Sequence, residues 1–193
     1  PYQVRTPSGE IFWILDFSML LRGTQPFDLA QSQQRFQQAF AAIWNKTLED
    51  DGFNRLMLGA GLTGRQVSVL RAYAKYMRQT GVSFSQSYIE ETLTRYPDIA
   101  ELLFTLFDLR LNPAIKQDAK APSQDAKALA KLHEQLVAKL DQVANLDDDR
   151  IIRRYMEMID ATLRTNYYQP DQEGQAKPYI SFKLAPSSIT DMP

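Results

Sequence analysis

The sequence predicts a mainly α fold: a multi-helix bundle with an N-terminal β-hairpin and a short C-terminal strand. Three patterns carry that reading. Apolar side chains recur every three to four positions over most of the chain after residue 28, residues 2–17 are rich in branched and aromatic side chains around Thr6-Pro7-Ser8-Gly9, and residues 178–184 alternate with the period of two that belongs to strands. With 193 residues, 44% of them hydrophobic and 23% charged, the chain is long enough to bury one domain-sized core. A formal net charge of -1 gives no overall field to attract nucleic acid or an anionic membrane, so neither is an expected partner unless a local patch supplies the charge. The absence of Cys and the single His exclude disulfides and the usual Cys/His zinc sites. No apolar run approaches bilayer length and no signal-peptide pattern is present, so a cytoplasmic location is expected. The start at Pro1 suggests a piece of a longer polypeptide.

Taken in order, residues 2–5 and 10–17 read as the two strands of the hairpin, with Pro7 fixing φ and Gly9 permitting a positive one. Two strands alone are marginal in water, so the hairpin is expected to pack on helices or to end a sheet lying upstream. A helix from residue 28 carries Leu29, Phe36, Phe40, Ile43 and Trp44 on its apolar face. A short one follows around Phe53, Leu56 and Met57. A third starts at Thr63, with Gln66 at capping-box spacing, and stops at Gly81. Ser85 or Ser87 caps a fourth, and Pro97 opens a fifth. Residues 112–123, bracketed by Pro113 and Pro122, read as a linker. Beyond it come two long helices, one with Leu129, Leu132, Leu136, Leu140 and Val143, the other with Ile151, Ile152, Tyr155, Ile159 and Leu163, expected as an antiparallel pair turning at Asn145-Leu146. The domain organisation expected is therefore 1–27 hairpin, 28–111 helical subdomain, 112–123 linker, 124–170 long helical pair and 171–193 extended tail.

Gly59, Gly61 and Gly64 spell G-x-G-x-x-G, the spacing that lets a backbone approach a pyrophosphate at a helix N-terminus. A dinucleotide loop also needs a buried strand before it and a second parallel strand after it, and neither residues 55–58 nor 82–85 make a convincing one. The rival readings are a turn between helices and the start of a helix-turn-helix over residues 62–96. In the latter, the candidate recognition helix carries Glu90 and Glu91 and only Arg95 as a cation, poor equipment for phosphates or guanine. Arg65, Arg71, Lys75 and Arg78 on the preceding helix read as a solvated face. His133 has no second His and no matched acid in sequence. Asp147, Asp148 and Asp149 lack calcium-loop spacing and suit a helix start. The spacings Asp149 to Arg153 and Asp160 to Arg164 suggest ion pairs along a helix. Among the tyrosines, Tyr76, Tyr167 and Tyr168 are interface candidates, whereas Tyr73 and Tyr88 fit a core. No residue is assigned a catalytic, cofactor-binding or metal-binding role.

Several blocks in one order then carry a resemblance: Asp51-Gly52-Phe53-Asn54-Arg55-Leu56, Leu70-Arg71-Ala72-Tyr73 with Arg78-Gln79, Ser85-Gln86-Ser87-Tyr88-Ile89, Asp148-Asp149-Arg150-Ile151, residues 161–168 (ATLRTNYY) and 177–184 (KPYISFKL). Together they resemble the large bacterial NAD-specific glutamate dehydrogenases over roughly residues 36–184. The resemblance implies a parent enzyme that oxidises L-glutamate to 2-oxoglutarate and ammonia with NAD, with the family's substrate-binding lysine segment and nucleotide fold lying outside these residues. It further implies flanking ACT-like and catalytic domains, a homo-oligomeric parent, and a role for this chain as a helical connecting or regulatory segment with no cofactor of its own. A DNA-binding regulator using residues 62–96 and a free-standing helical interaction module are the alternatives. In a gel-shift titration at low salt, a random DNA duplex should remain unretarded by the chain; salt-sensitive retardation would favour the regulator.

Overall fold

The computed structural model describes residues 1–18, 29–115 and 122–190. Strands β1 (Tyr2–Arg5) and β2 (Ile11–Ile14) form an antiparallel hairpin in the register Tyr2 to Ile14. Every residue of both strands is exposed, Trp13 to 63%. The hairpin therefore does not bury a face on the helices, which removes the first of its two expected settings. Part of the expected 1–27 unit, residues 19–27, lies outside the described residues, as do residues 116–121 of the expected linker.

Helix α1 (Leu29–Trp44) is amphipathic as expected, but its stripe is not buried. Phe36, Phe40 and Trp44 stack along it at centroid distances of 6.2 and 5.9 Å, with Trp44 72% exposed, while Ala39 and Ser32 are buried. The helix closes with a paired-bond cap: the amide of Thr47 donates to the Ala42 carbonyl and that of Lys46 to the Ile43 carbonyl. The left-handed position of this cap usually holds Gly, yet here it is Lys46, at φ 58°.

A 3₁₀ turn (Gly52–Arg55) leads into the one-turn helix α2 (Leu56–Gly59). Asp51 caps the turn, its carboxylate accepting from the Phe53 amide at 3.1 Å. Helix α3 (Gly64–Gln79) opens with the capping box expected from sequence, Thr63 and Gln66 each satisfying the other's backbone amide. Its buried face presents Val67, Leu70, Tyr73, Ala74 and Met77. Helix α4 (Gln86–Arg95) starts at Ser85, and α5 (Pro97–Leu111) has Pro97 in its first turn, where the missing amide costs nothing. The core is continuous through these helices, with Phe53, Leu56, Leu70, Ile89, Leu93, Leu103 and Phe107 fully buried.

Helix α6 (Pro122–Leu140) begins at Pro122, a residue the sequence reading left in the linker. It packs on α5 through Leu132, Leu136 and Leu140. Helix α7 (Leu146–Asp160) also lies against α5. It ends at Asp160, so Leu163 is not part of its stripe: Leu163 belongs to β3 (Thr162–Thr165), which pairs antiparallel with β4 (Phe182–Leu184). The Ala161 carbonyl accepts from the Ala185 amide at 2.9 Å instead of continuing the helical ladder. The tail strand thus has a partner after all, reached across the excursion 166–181. Asn166 ties that excursion down, donating to the Tyr179 carbonyl and accepting from the Ser181 amide.

Arg71 is the main departure on α3. It is 3% exposed rather than solvated, and its guanidinium grips Asp51 through two bonds of 2.5 and 2.8 Å while a third, of 2.9 Å, reaches the Asn54 side chain. Removing one member of a buried pair leaves an uncompensated charge, so Asp51→Ala should destabilise the chain by about 3–5 kcal/mol in urea unfolding, and the double variant Asp51→Ala/Arg71→Met should recover part of that loss.

Candidate functional site

The glycine motif occupies a helix junction. Gly59 ends α2, Gly61 sits at φ +67° where the chain reverses, and Gly64 is the first residue of α3. Both sheets among the described residues are two-stranded and antiparallel, so no parallel-strand crevice accompanies the motif. A second glycine has a different reason for its place: a β-carbon on Gly52 would come within 2.4 Å of the Glu90 carboxylate, whose Oε2 accepts from the Gly52 amide.

That contact also weakens the helix-turn-helix reading. Glu90, Ile89, Thr92 and Leu93 of α4 are buried, and the single cation of the helix, Arg95, is joined to the fully buried Asp148. Asp148 further accepts from the Thr92 hydroxyl at 3.0 Å and the Tyr96 hydroxyl at 3.3 Å. The aspartate run is therefore only partly what its spacing suggested. Asn145, not an aspartate, caps α7 by accepting from the amides of Asp147 and Asp148; the three acids lie in the first turn, where they complement the helix dipole, and Asp148 turns inward.

The expected pair Asp149–Arg153 forms at 2.8 Å, but Asp160 does not pair with Arg164, which is exposed on β3. Instead Asp160 receives His133 Nε2 at 2.9 Å and lies 3.5 Å from the Arg110 guanidinium, which also donates to the carbonyls of Ile159 and Asp160 and so closes the C-terminus of α7. His133 Nδ1 faces the Leu129 carbonyl at 2.9 Å. Both ring nitrogens thus meet acceptors, an arrangement only the imidazolium satisfies fully. Burial on its own would lower the His133 pKa, but the hydrogen bonds to Asp160 and to Leu129 outweigh it and the net shift is upward. Among the described residues no cluster of His, Cys, Asp or Glu is suited to a metal ion.

Around Tyr73 an aromatic box joins α3 and α5 to the C-terminal part. The Tyr73 ring stacks on Phe182 at 4.7 Å and meets Phe107 edge-on at 6.2 Å. Tyr167 and Tyr168 close the box against Phe107. The Thr162 hydroxyl spends its one proton on the Met158 carbonyl, so Tyr73 donates to Thr162, at 2.7 Å. Burial raises the Tyr73 pKa strongly and pushes that of Tyr167 up to about 12. Tyr168 donates to Asp108 at 2.7 Å. Tyr167 and Tyr168 are therefore half-buried members of this box, and Tyr88 stacks half-buried on Phe84.

Beside the box, Arg65 lies 4.7 Å over the Tyr167 ring and donates to the carbonyls of Lys177 and Tyr167 at 2.9 and 2.8 Å. It stands at one wall of a cleft of about 870 Å³ between the end of α1, the start of α3 and residues 176–180. Lys46, Arg71, Lys75 and Lys177 also line this cleft, against Glu49. The volume is within the range of small-molecule sites, and the lining mixes apolar residues with five cations and one carboxylate. Sequence reasoning missed it because its walls lie more than a hundred residues apart.

Comparison with known proteins agrees with the resemblance. Residues 48–113 match the family model "Glutamate dehydrogenase, helical motif 3", and residues 135–193 match "Bacterial NAD-glutamate dehydrogenase, catalytic domain". Over 193 residues the chain is 40% identical to the NAD-specific glutamate dehydrogenase of Halomonas elongata and 41% identical to that of Pseudomonas aeruginosa; over 199 residues it is 37% identical to that of Mycobacterium tuberculosis. All of the chain is covered in each case, and it spans about 12% of the length of these curated relatives. The fold and these matches make the chain a mostly helical segment similar to part of much longer dehydrogenases. The chain matches a segment of the bacterial NAD-specific glutamate dehydrogenases. The catalytic-domain match begins at residue 135, inside α6, earlier than the tail 171–193 that was expected to lead toward that domain.

Because the folded pKa of His133 lies above its unfolded value, the stability it contributes is fully present below about pH 6.5 and is lost as pH rises through the folded pKa. Thermal unfolding of the wild type and of His133→Gln should therefore differ more at pH 5.5 than at pH 8.5; equal differences would remove the imidazolium from the account.

Proposed function

We propose that this chain is a non-catalytic connecting and regulatory segment of a large NAD-dependent glutamate dehydrogenase, the parent polypeptide converting L-glutamate to 2-oxoglutarate and ammonia with NAD. One observation carries the reading: the parts matching the helical motif and the catalytic domain share a single core. Tyr73 of the first is stacked on Phe182 and bonded to Thr162 of the second, and Arg65 is bonded to the backbone of Tyr167 and Lys177. A side chain that joins two segments through buried contacts transmits displacement, whereas a solvated linker absorbs it. The segment would act as a stiff joint.

The exposed faces of the hairpin support its assignment to the end of an upstream ACT-like sheet, where its free edges and apolar side chains would be covered. Flanking ACT-like and catalytic domains of the same polypeptide are the proposed partners, in a cytoplasmic homo-oligomer. No described helix is long and apolar enough to cross a membrane. NAD would bind elsewhere in the parent, since the glycines here form a turn between helices. The isolated chain should neither reduce NAD with glutamate, followed by absorbance of the reduced coenzyme, nor bind it in calorimetry. Stoichiometric binding at micromolar concentration would overturn the non-catalytic reading.

A further inference from the structure

We propose that the cleft between α1, α3 and residues 176–180 binds a small polyanion carrying two or more phosphate or carboxylate groups. Charge is the first argument. Of the cations lining the cleft, Arg71 is neutralised by Asp51 and Lys75 by Glu49, at 2.6 Å. Lys46, Arg65 and Lys177 have no carboxylate partner among the described residues. Arg65 spends donors on two neutral carbonyls and Lys177 reaches only the Gln169 side-chain oxygen, at 3.2 Å, so their positive charge remains uncancelled. The N-terminal residues of α3, Gly64 and Arg65, border the same space and add the positive end of a sixteen-residue helix.

Backbone strain at the rim is the second argument, and it is independent of charge. Lys46 is the only non-glycine residue at positive φ among the described residues, in a helix cap where Gly would be relaxed. Lys46 holds this conformation at a cost, and it borders the cleft. Lys46 and α3 belong to one side of the cleft, residues 176–180 to the other, and Arg65 already stitches the two together. An anion held between Lys46 and Lys177 would strengthen the same seam. That regulatory consequence rests on the connecting role proposed above, whereas occupancy of the cleft does not.

The test uses the full-length enzyme and pyridoxal 5′-phosphate as probe. Its aldehyde condenses with a lysine amine, releasing water, and borohydride reduces the imine so that each labelled lysine can be mapped by peptide mass. Because a cationic cleft concentrates anions, Lys46 and Lys177 should be labelled roughly tenfold faster than the exposed Lys131 and Lys183, and inorganic pyrophosphate should suppress that labelling. Lys46→Gly should leave the melting temperature unchanged or raised, because it relaxes the cap, yet weaken pyrophosphate protection of Lys177 roughly tenfold. Labelling no faster than at Lys131, or indifferent to pyrophosphate, would overturn the proposal. Protection at both lysines with glutamate turnover unmoved by pyrophosphate supports the site and tells only against the connecting role.

Discussion

A guanidinium shut away from water must find its acceptors within the protein, and Arg71 finds most of them in one turn, with the Ser68 hydroxyl of its own helix at 3.3 Å. Asp51 takes two of its bonds and Asn54 a third, so the 3₁₀ turn has little choice of position on α3. Asp51 simultaneously caps that turn, and Glu90 holds the neighbouring Gly52 amide from α4. Three elements are thereby fixed around residues 51–54, with the Phe53 ring driven to full burial beneath them. The unusual block Asp51-Gly52-Phe53-Asn54 is explained as one unit: an acid for the arginine, a residue without a β-carbon beside Glu90, an anchor for the core and a further acceptor.

The C-terminal part is attached by a second set of contacts of a different kind. Here aromatic stacking dominates, with Tyr73 and Phe107 receiving Phe182, Tyr167 and Tyr168, and polar bonds set the orientation of the rings. Aromatic pairs of this type contribute about 0.5–1.5 kcal/mol beyond the area they bury. The pair between the buried Asp148 and the half-exposed Arg95 adds a charged link between α4 and α7. Residues 48–113 and 135–193 are thereby joined through one continuous core.

What could be read from sequence was what is local. The Thr63–Gln66 capping box, Pro97 at the start of α5 and the Asp149–Arg153 pair each involve residues within four positions of one another, and each is present. The mostly helical fold followed from periodicity for the same reason. Leu163 misled because it continues the spacing of Ile159, and only the distant pairing with β4 ends the helix before it. Arg71 misled because amphipathic patterning treats every arginine as solvated, and its acid lies twenty residues upstream. His133 and Asp160, or the two walls of the cationic cleft, are separated further still, and nothing local marks them as neighbours. The ladder of half-buried Phe36 and exposed Phe40 and Trp44 shows the opposite case, a helical face correctly identified but only partly covered by the described residues.

The seat of Tyr73 bears on how such a polypeptide can be dissected. The two family matches leave a gap between residues 113 and 135 that invites division there, yet the tyrosine's ring rests on Phe182 and its hydroxyl on Thr162, both on the far side of the gap. A scission at that point would leave the upstream product with a bare hydrophobic floor and an orphaned phenol, and would hand the downstream product a two-stranded ribbon without support. The boundary between the two family matches is not a boundary in the packing.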